Sequence, residues 1–258
     1  MEVLTKMPSR LFVFTDLDDT LFQSFNNNVP EHAIQATVDV DGNTYAHSSL
    51  QQQKLLEVMV KGGAIIIPVT GRRSSSFLNC RLPDVMKSEY AIVSHGAVIL
   101  NKQHHVLNEW VTFLEKHYAL LHWQGVLNVM YEQLLEYYAE DKNVRVRLIV
   151  DQGITAYICI KINKVGYLPE KSTQVSSILN ARLKRNMLLH ENGRNFAMLA
   201  PYAQKKVAVD FLKEKMDFNQ FDTVFAMGDS DSDLPFMNDA DFLIVPQQAQ
   251  IFKKESEQ

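Results

Sequence analysis

The sequence predicts an α/β fold: a Rossmann-like parallel sheet flanked by helices and carrying an inserted α+β segment. Three observations predict it. Short apolar runs alternate with helix-periodic segments on both flanks of the chain, as in a parallel sheet. Several of those runs end directly in acidic or hydroxyl residues, where open α/β sheets bind ligands. The middle of the chain instead has long helix-periodic stretches followed by paired alternating strands.

The elements follow in order. Leu11 to Thr15 (LFVFT) reads as a buried strand. Asn26-Asn27-Asn28 reads as a loop. Ala36 to Ser48 alternates around Asp41-Gly42-Asn43, a hairpin signal. Ser48 or Ser49 caps a helix through Val60, which Gly62 ends. Ala64 to Val69 is a second buried strand, and its Pro68 suits a strand end or edge. Residues 74–80 are helical. Tyr90 to Val93 and Ala97 to Leu100 are short strands split by Ser94-His95-Gly96. Near the end of the chain, Gln204 to Met216 is a helix and Thr223 to Met227 a strand. Asp231 to Met237 is a helical turn and Phe242 to Val245 a last strand.

The middle begins with Trp110 to Tyr138, helix-periodic and aromatic-rich, with a break expected near Gln124-Gly125. Val144 to Val150 and Ala156 to Ile162 alternate around Asp151-Gln152-Gly153. Ser172 to Leu183 is helical. Leu188 to Glu191 and Asn195 to Leu199 flank Asn192-Gly193-Arg194, a second hairpin signal. The expected division is therefore a core of residues 1–100 and 197–258, with an α+β insert over 101–196.

Composition narrows the function. The 258 residues are 46% apolar and 22% charged, ordinary for a globular chain with a buried core. The formal charge of −4, without a basic block, disfavours a nucleic-acid partner. No apolar run reaches the roughly 18 residues of a membrane span. The start, MEVLTKMPSR, lacks the apolar core of a secretory signal. Cys80 and Cys159 make neither a disulfide framework nor a zinc site, and they fit a reducing cytoplasm. Neither GxGxxG nor GxxxxGK[ST] occurs, which removes the main signal for dinucleotide and P-loop sites.

The chemistry sits where strands end. Asp16 and Asp18 follow the first strand, and residues two apart in extended chain project to one side. Thr70, Gly71 and Arg72 follow the second, offering a hydroxyl and exposed amides to an oxyanion. Asp229 and Asp233 follow a late strand and share a face if one helical turn intervenes. Lys205 opens a helix and supplies a positive charge. Four converging carboxylates repel unless a cation intervenes, and oxygen-only ligands suit Mg²⁺. Mg²⁺ with Thr and Lys is apparatus for phosphoryl transfer. One carboxylate can then attack phosphorus while its neighbour moves protons.

These residues resemble the haloacid dehalogenase superfamily of phosphatases. DLDDT after an apolar run is similar to its first motif, DxDx[TV]; Thr70 in VTGR matches the second, Lys205 the third and GDSDSD the fourth. Order and spacing agree along essentially the whole chain. The insert between the second and third motifs resembles the subgroup with Cof-like and sucrose-phosphatase-like members, whose α+β cap covers the site. The resemblance implies Asp16 as nucleophile and Asp18 as general acid/base. It implies Thr70, Gly71 and Lys205 on the phosphoryl oxygens. It gives Mg²⁺ the ligands Asp16, the Asp18 carbonyl and Asp229, with Asp233 as ligand or support. The implied substrate is a small phosphate monoester, a sugar phosphate first. Two departures stand out: Ser232 where many relatives have Asn, and His95 for the usual Asn before Gly96. With Arg72, they are candidate substrate contacts. A phosphomutase would use the same nucleophile. A non-catalytic phosphate-ligand sensor would be expected to lack a first-motif carboxylate, and both are present.

Other residues have plainer readings. Asp19 should face away from the pair. Ser230 or Asp231 can cap the next helix. Arg72 pairs with a carboxylate in preference to touching phosphate. Lys206, next to Lys205, is the competing choice for the lysine. His104-His105 reads as a solvated loop. The stripe of Trp110, Phe113, Tyr118, Trp123, Tyr131, Tyr137 and Tyr138 reads as insert core.

Overall fold

The computed structural model describes residues 9–25, 28–39 and 41–253. The N-terminal segment through Pro8 and the Asn26-Asn27 part of the expected loop lie outside these residues. The first half of the chain forms β1 (Leu11–Thr15), β2 (Ile34–Val38), β3 (Thr44–Ser48), α1 (Leu50–Lys61), β4 (Ile65–Pro68), α2 (Ser74–Phe77), α3 (Pro83–Met86), β5 (Tyr90–Val93) and β6 (Val98–Asn101). The middle forms α4 (Asn108–Tyr118), α5 (Leu120–Tyr137), β7 (Val144–Asp151), β8 (Ile154–Ile162), α6 (Pro169–Asn180), β9 (Leu188–Asn192) and β10 (Asn195–Leu199). The remainder forms α7 (Lys205–Lys215), β11 (Thr223–Met227), α8 (Leu234–Met237), β12 (Phe242–Ile244) and α9 (Gln250–Lys253).

The core sheet is parallel, in the order β12-β11-β1-β4. Phe12, Val13 and Phe14 of β1 are buried, as a central parallel strand requires. Pro68 is the last residue of β4, where its missing N–H interrupts no ladder bond. Ser49, and not Ser48, caps α1. Its Oγ accepts from the Gln52 amide, and Gln52 Oε1 accepts from the Ser49 amide at 2.9 Å.

The insert carries an antiparallel sheet, β7-β8-β10-β9. One face (Val146, Ile158, Ile160, Phe196, Met198) is buried, and α5 packs on β7 and β8. The opposite face carries Arg145, Tyr157, Cys159, Lys161, Asn195 and His190 by the strand alternation.

Several expectations need correction. The helix break falls at Ala119 (φ 50°, ψ 60°), and Gly125 lies inside α5. Buried Leu114 and Leu120 anchor both sides of Ala119, so packing sets the break and the glycine does not. α6 begins at Pro169, which is pre-shaped for a first helical turn, and ends at Asn180. α2 spans only Ser74–Phe77. The antiparallel sheet runs through Leu199, past residue 196. α4 packs on the core: Trp110 Nε1 donates to the Ala97 carbonyl at 3.0 Å, and its ring meets Phe211 of α7. The layers are further joined at Asp151. Its carboxylate accepts from the Ser74 amide at 2.7 Å, from Ser94 Oγ at 2.5 Å and from Ser74 Oγ.

Candidate active site

Asp16 directly follows β1. Its amide donates to the Met227 carbonyl at 2.9 Å, which carries the β1–β11 pairing one residue further and fixes the carboxylate at the sheet's carboxyl end. Lys205, the first residue of α7, is 6% exposed and donates to Asp16 Oδ1 and Asp233 Oδ1, each at 2.6 Å. Lys206 faces elsewhere, onto Asp210 and Asp239. Asp233, at the N-terminus of α8, is fully buried. Its Oδ2 accepts from Ser230 Oγ at 2.8 Å, the Ser230 amide at 3.0 Å and the Asp229 amide at 3.2 Å. Ser232 reaches this network through Ser230, hydroxyl to hydroxyl at 2.9 Å.

One carboxylate oxygen each of Asp16, Asp229 and Asp233 lie within 4.8 Å of one another. Burial pushes the Asp16 carboxyl well up, and Lys205 opposes that shift. Burial also works to raise Asp233, but Lys205 and Ser230 outweigh it and hold this carboxyl low. Burial would lower Lys205, and the two carboxylates reverse that and raise it. Asp229 is pushed up to about 7, first by burial and then by the charges of Asp233 and Asp19. One lysine beside three crowded carboxyls leaves a demand for positive charge. The donors are all hard oxygens, the set that suits Mg²⁺.

Thr70 is buried after β4. Its amide donates to the Ile92 carbonyl at 2.9 Å, and its hydroxyl accepts from the Arg72 amide at 3.1 Å. Two of the amides expected to be exposed here are thus already engaged. Gly71 lies against His95, whose Cε1 would sit 2.5 Å from any Cβ at this position. Arg72 grips Asp18, as expected of a paired arginine. Asp19 does not face away. Its left-handed backbone (φ 57°) breaks the alternation and brings it to the rim of the cleft.

His95 occupies the turn between β5 and β6, where Ser94, His95 and Gly96 all have positive φ. Burial pushes its imidazole well down, with His190 and Lys205 adding to the shift. Its ring meets the edge of Tyr157 and the ring of His190, each at 5.1 Å between centroids. These residues enclose a cleft of about 610 Å³. Asp16, Thr70 and Lys205 line it from the core, and Tyr157, Lys161 and His190 from the antiparallel sheet. The last three escape sequence reasoning, because only the strand register turns them inward.

A parallel core with an inserted antiparallel layer, and Asp16, Lys205, Asp229 and Asp233 gathered at the carboxyl end of its strands, is the arrangement of haloacid dehalogenase-type phosphatases, and the family match makes the chain a phosphoric monoester hydrolase of that type. The model of the sucrose-6F-phosphate phosphohydrolase family matches residues 9–250, and the chain belongs to that family. Among solved structures, the Synechocystis sucrose-phosphatase in complex with sucrose and phosphate is 15% identical. The match covers 94% of this chain and 85% of that one, with a TM-score of 0.58. A Thermotoga maritima protein is 14% identical over 97% of this chain and 90% of its own, with a TM-score of 0.56. The C-terminal domain of Candida albicans trehalose-6-phosphate phosphatase is 14% identical over 89% of this chain and 73% of its own, with a TM-score of 0.54. At these identities the likeness is one of fold. No curated protein matches the chain.

Proposed function

We propose that the chain is a Mg²⁺-dependent sugar-phosphate phosphatase working through an aspartyl-phosphate on Asp16. The observation that carries this reading is Lys205 bridging Asp16 and Asp233 beside Asp229, at the floor of a cleft enclosed by both layers. Asp16 forms a bond to phosphorus as the bond to the sugar oxygen breaks, and Asp18 gives that oxygen its proton. Water then bonds to phosphorus, Asp16 leaves, and Asp18 takes the water's proton. Lys205 neutralises phosphoryl oxygens. The Thr70 hydroxyl accepts from Arg72 and so keeps its own proton to donate to them, beside Gly71. Asp16, Asp229, Asp233 and the Asp18 carbonyl would hold Mg²⁺, which when bound neutralises the carboxylates and draws charge from the phosphoryl group.

The sugar class is supported by the matched family and by a structural relative solved with sucrose and phosphate. The antiparallel layer with α5 and α6 is the specificity lid, with Tyr157 and His190 above the phosphoryl end. Among the described residues no helix is long and apolar enough to cross a membrane. Cys80 and Cys159 are free thiols, in keeping with work in a reducing cytoplasm. The test is phosphate release over a panel of sugar phosphates, nucleotides and an aryl phosphate. Mg²⁺-dependent turnover with sugar phosphates ranked first supports the reading; no turnover of any of them refutes it.

A further inference from the structure

The cleft-facing side of the antiparallel sheet is not neutral. Strand register sets Arg145 of β7 opposite Lys161 of β8, Lys161 opposite Asn195 of β10, and Asn195 opposite Asn192 of β9. Directly paired residues share a face, so these four side chains form one polar row across the whole sheet. The adjacent row carries Arg147, Cys159, Ala197 and His190. Lys161, Asn192 and Asn195 line the same cleft as Asp16 and Lys205.

The rows have a definite order along the strands. Tyr157 and His190 meet His95, which abuts Gly71 beside Thr70, so they face the phosphoryl end. Lys161 is two residues beyond the His190 row and four beyond Tyr157. At the usual strand rise that is about 7 and about 13 Å along the sheet.

The charge on this row is uncompensated. Among the described residues, Arg145, Arg147, Lys161 and Arg194 form no ion pair with any carboxylate. Lys161 is partly buried, and burial followed by the charges of Arg194, Arg145 and Arg147 holds its ammonium below the usual lysine range. Gathering like charges around a half-buried lysine costs energy, and an anion docking beside it relieves that cost. The amides of Asn192 and Asn195 beside the cations suit a ligand that also carries hydroxyls.

Resting on the phosphatase reading, we infer that Lys161 and Arg145, with Asn192 and Asn195, form a second anion subsite. The substrate is then a sugar phosphate bearing another acidic group, a carboxylate or a second phosphate, remote from the scissile one. A neutral disaccharide phosphate would leave this row without its counter-charge.

The test compares matched substrates on the full chain with Mg²⁺: glucose 6-phosphate, 6-phosphogluconate, fructose 1,6-bisphosphate and an aryl phosphate. One or both doubly acidic compounds should exceed glucose 6-phosphate at least tenfold in kcat/KM, and which one leads separates carboxylate from phosphate. Lys161→Met should erase that advantage mainly through KM, with a much smaller effect on the aryl phosphate. Lys161→Arg should restore most of it, and rising salt should weaken it in the parent and in Lys161→Arg. Calorimetric binding of the same compounds to Asp16→Asn, with and without Lys161→Met, reads the preference without turnover. Should the parent fail to hydrolyse even the aryl phosphate, the phosphatase reading falls, and the binding comparison still decides the subsite. Equal binding of neutral and doubly acidic sugars, unchanged by Lys161→Met, would overturn the inference.

Discussion

Arg72 holds both carboxylate oxygens of Asp18, Nε to Oδ2 at 2.6 Å and Nη2 to Oδ1 at 2.7 Å. Its remaining nitrogen, Nη1, donates to Thr37 Oγ1 at 3.2 Å, and its guanidinium lies over Phe22 at 4.9 Å and Tyr45 at 5.6 Å. A planar fork seated this way fixes the direction of the carboxylate as well as its position. An arginine in the loop after β4 thereby positions the proposed acid/base in the loop after β1. Arg72→Met should lower kcat by about 10-fold with little change in KM, less than the roughly 10²–10⁴-fold that losing the acid/base group itself costs. Arg72→Lys should recover little, because an ammonium cannot bind both oxygens in one plane. Steady-state kinetics with a poor leaving group checks this, and an unchanged kcat in Arg72→Met would remove Arg72 from the mechanism.

Gly96 is a second pressure point. Its φ is +102°, and a Cβ there would meet the Gln204 carbonyl oxygen at 2.5 Å. Gln204 immediately precedes Lys205, so the backbone that must yield is the one that aims the lysine. Gly96→Ala should cost about 1–3 kcal/mol of stability through the strained backbone alone. It should also raise KM for every phosphate monoester tested. Thermal melts and kinetics on the same sample check both, and a variant with parental Tm and KM would contradict the account.

Arg10 and Asp222 tie the start of β1 to the start of β11. Arg10 Nη2 donates to Asp222 Oδ2 at 2.6 Å, and its Nε and amide donate to Oδ1 at 3.1 Å. The arginine first, despite a smaller opposing effect of burial, lowers the Asp222 carboxyl from 3.8 to about 2. A depressed carboxyl contributes stability above its unfolded pKa and loses it as pH falls through its folded one. The contribution is therefore full at neutral pH and fades between about pH 4 and about pH 2. Asp222→Asn should melt below the parent near neutrality, and the gap in Tm should close as pH drops through that window. A gap independent of pH would place the effect in packing and not in the ion pair.

Metal should act on the free protein as well as on turnover. With all three ionised, Asp16, Asp229 and Asp233 carry more negative charge than Lys205 can neutralise, which a bound cation relieves. Mg²⁺ should raise the Tm of the parent by mass action and fail to do so in Asp229→Ala. Chelator should abolish phosphate release, Mg²⁺ should restore it, and Ca²⁺, which prefers more ligands in looser geometry, should not. Full activity in chelator would end the metal assignment.

The legible parts of the molecule are those that short stretches of chain determine. β1, β4 and β11 are apolar runs because a parallel strand is covered on both faces, and Asp16, Thr70 and Asp229 come within two residues of their ends. Lys205 is separable from Lys206 only by the spacing of the resemblance, and the structure puts it on the buried side of α7 with Ala208, Val209 and Leu212. The hidden parts depend on distant chain. Ala119 takes a left-handed conformation that its sequence does not announce, while Gly125 stays helical because nothing around it needs a turn. Asp151 finds Ser74 and Ser94 some 77 and 57 residues away, and the inward aim of Lys161 and His190 follows from a four-strand register. Asp19 misleads because one positive φ reverses the side its neighbours imply.

The central claim is that Asp16 carries the phosphoryl group between sugar and water. Asp18→Asn makes this measurable, since an aryl phosphate leaves without needing a proton, whereas the attacking water still needs a base to take its proton. The measurement is rapid acid quench of Asp18→Asn with an aryl phosphate and Mg²⁺, followed by peptide mass mapping. The account predicts a phosphoryl group on the peptide containing Asp16, localised to that residue and missing when Asp16→Asn is added. Turnover by the parent with no covalent label on Asp16, or a label on any other residue, would contradict it.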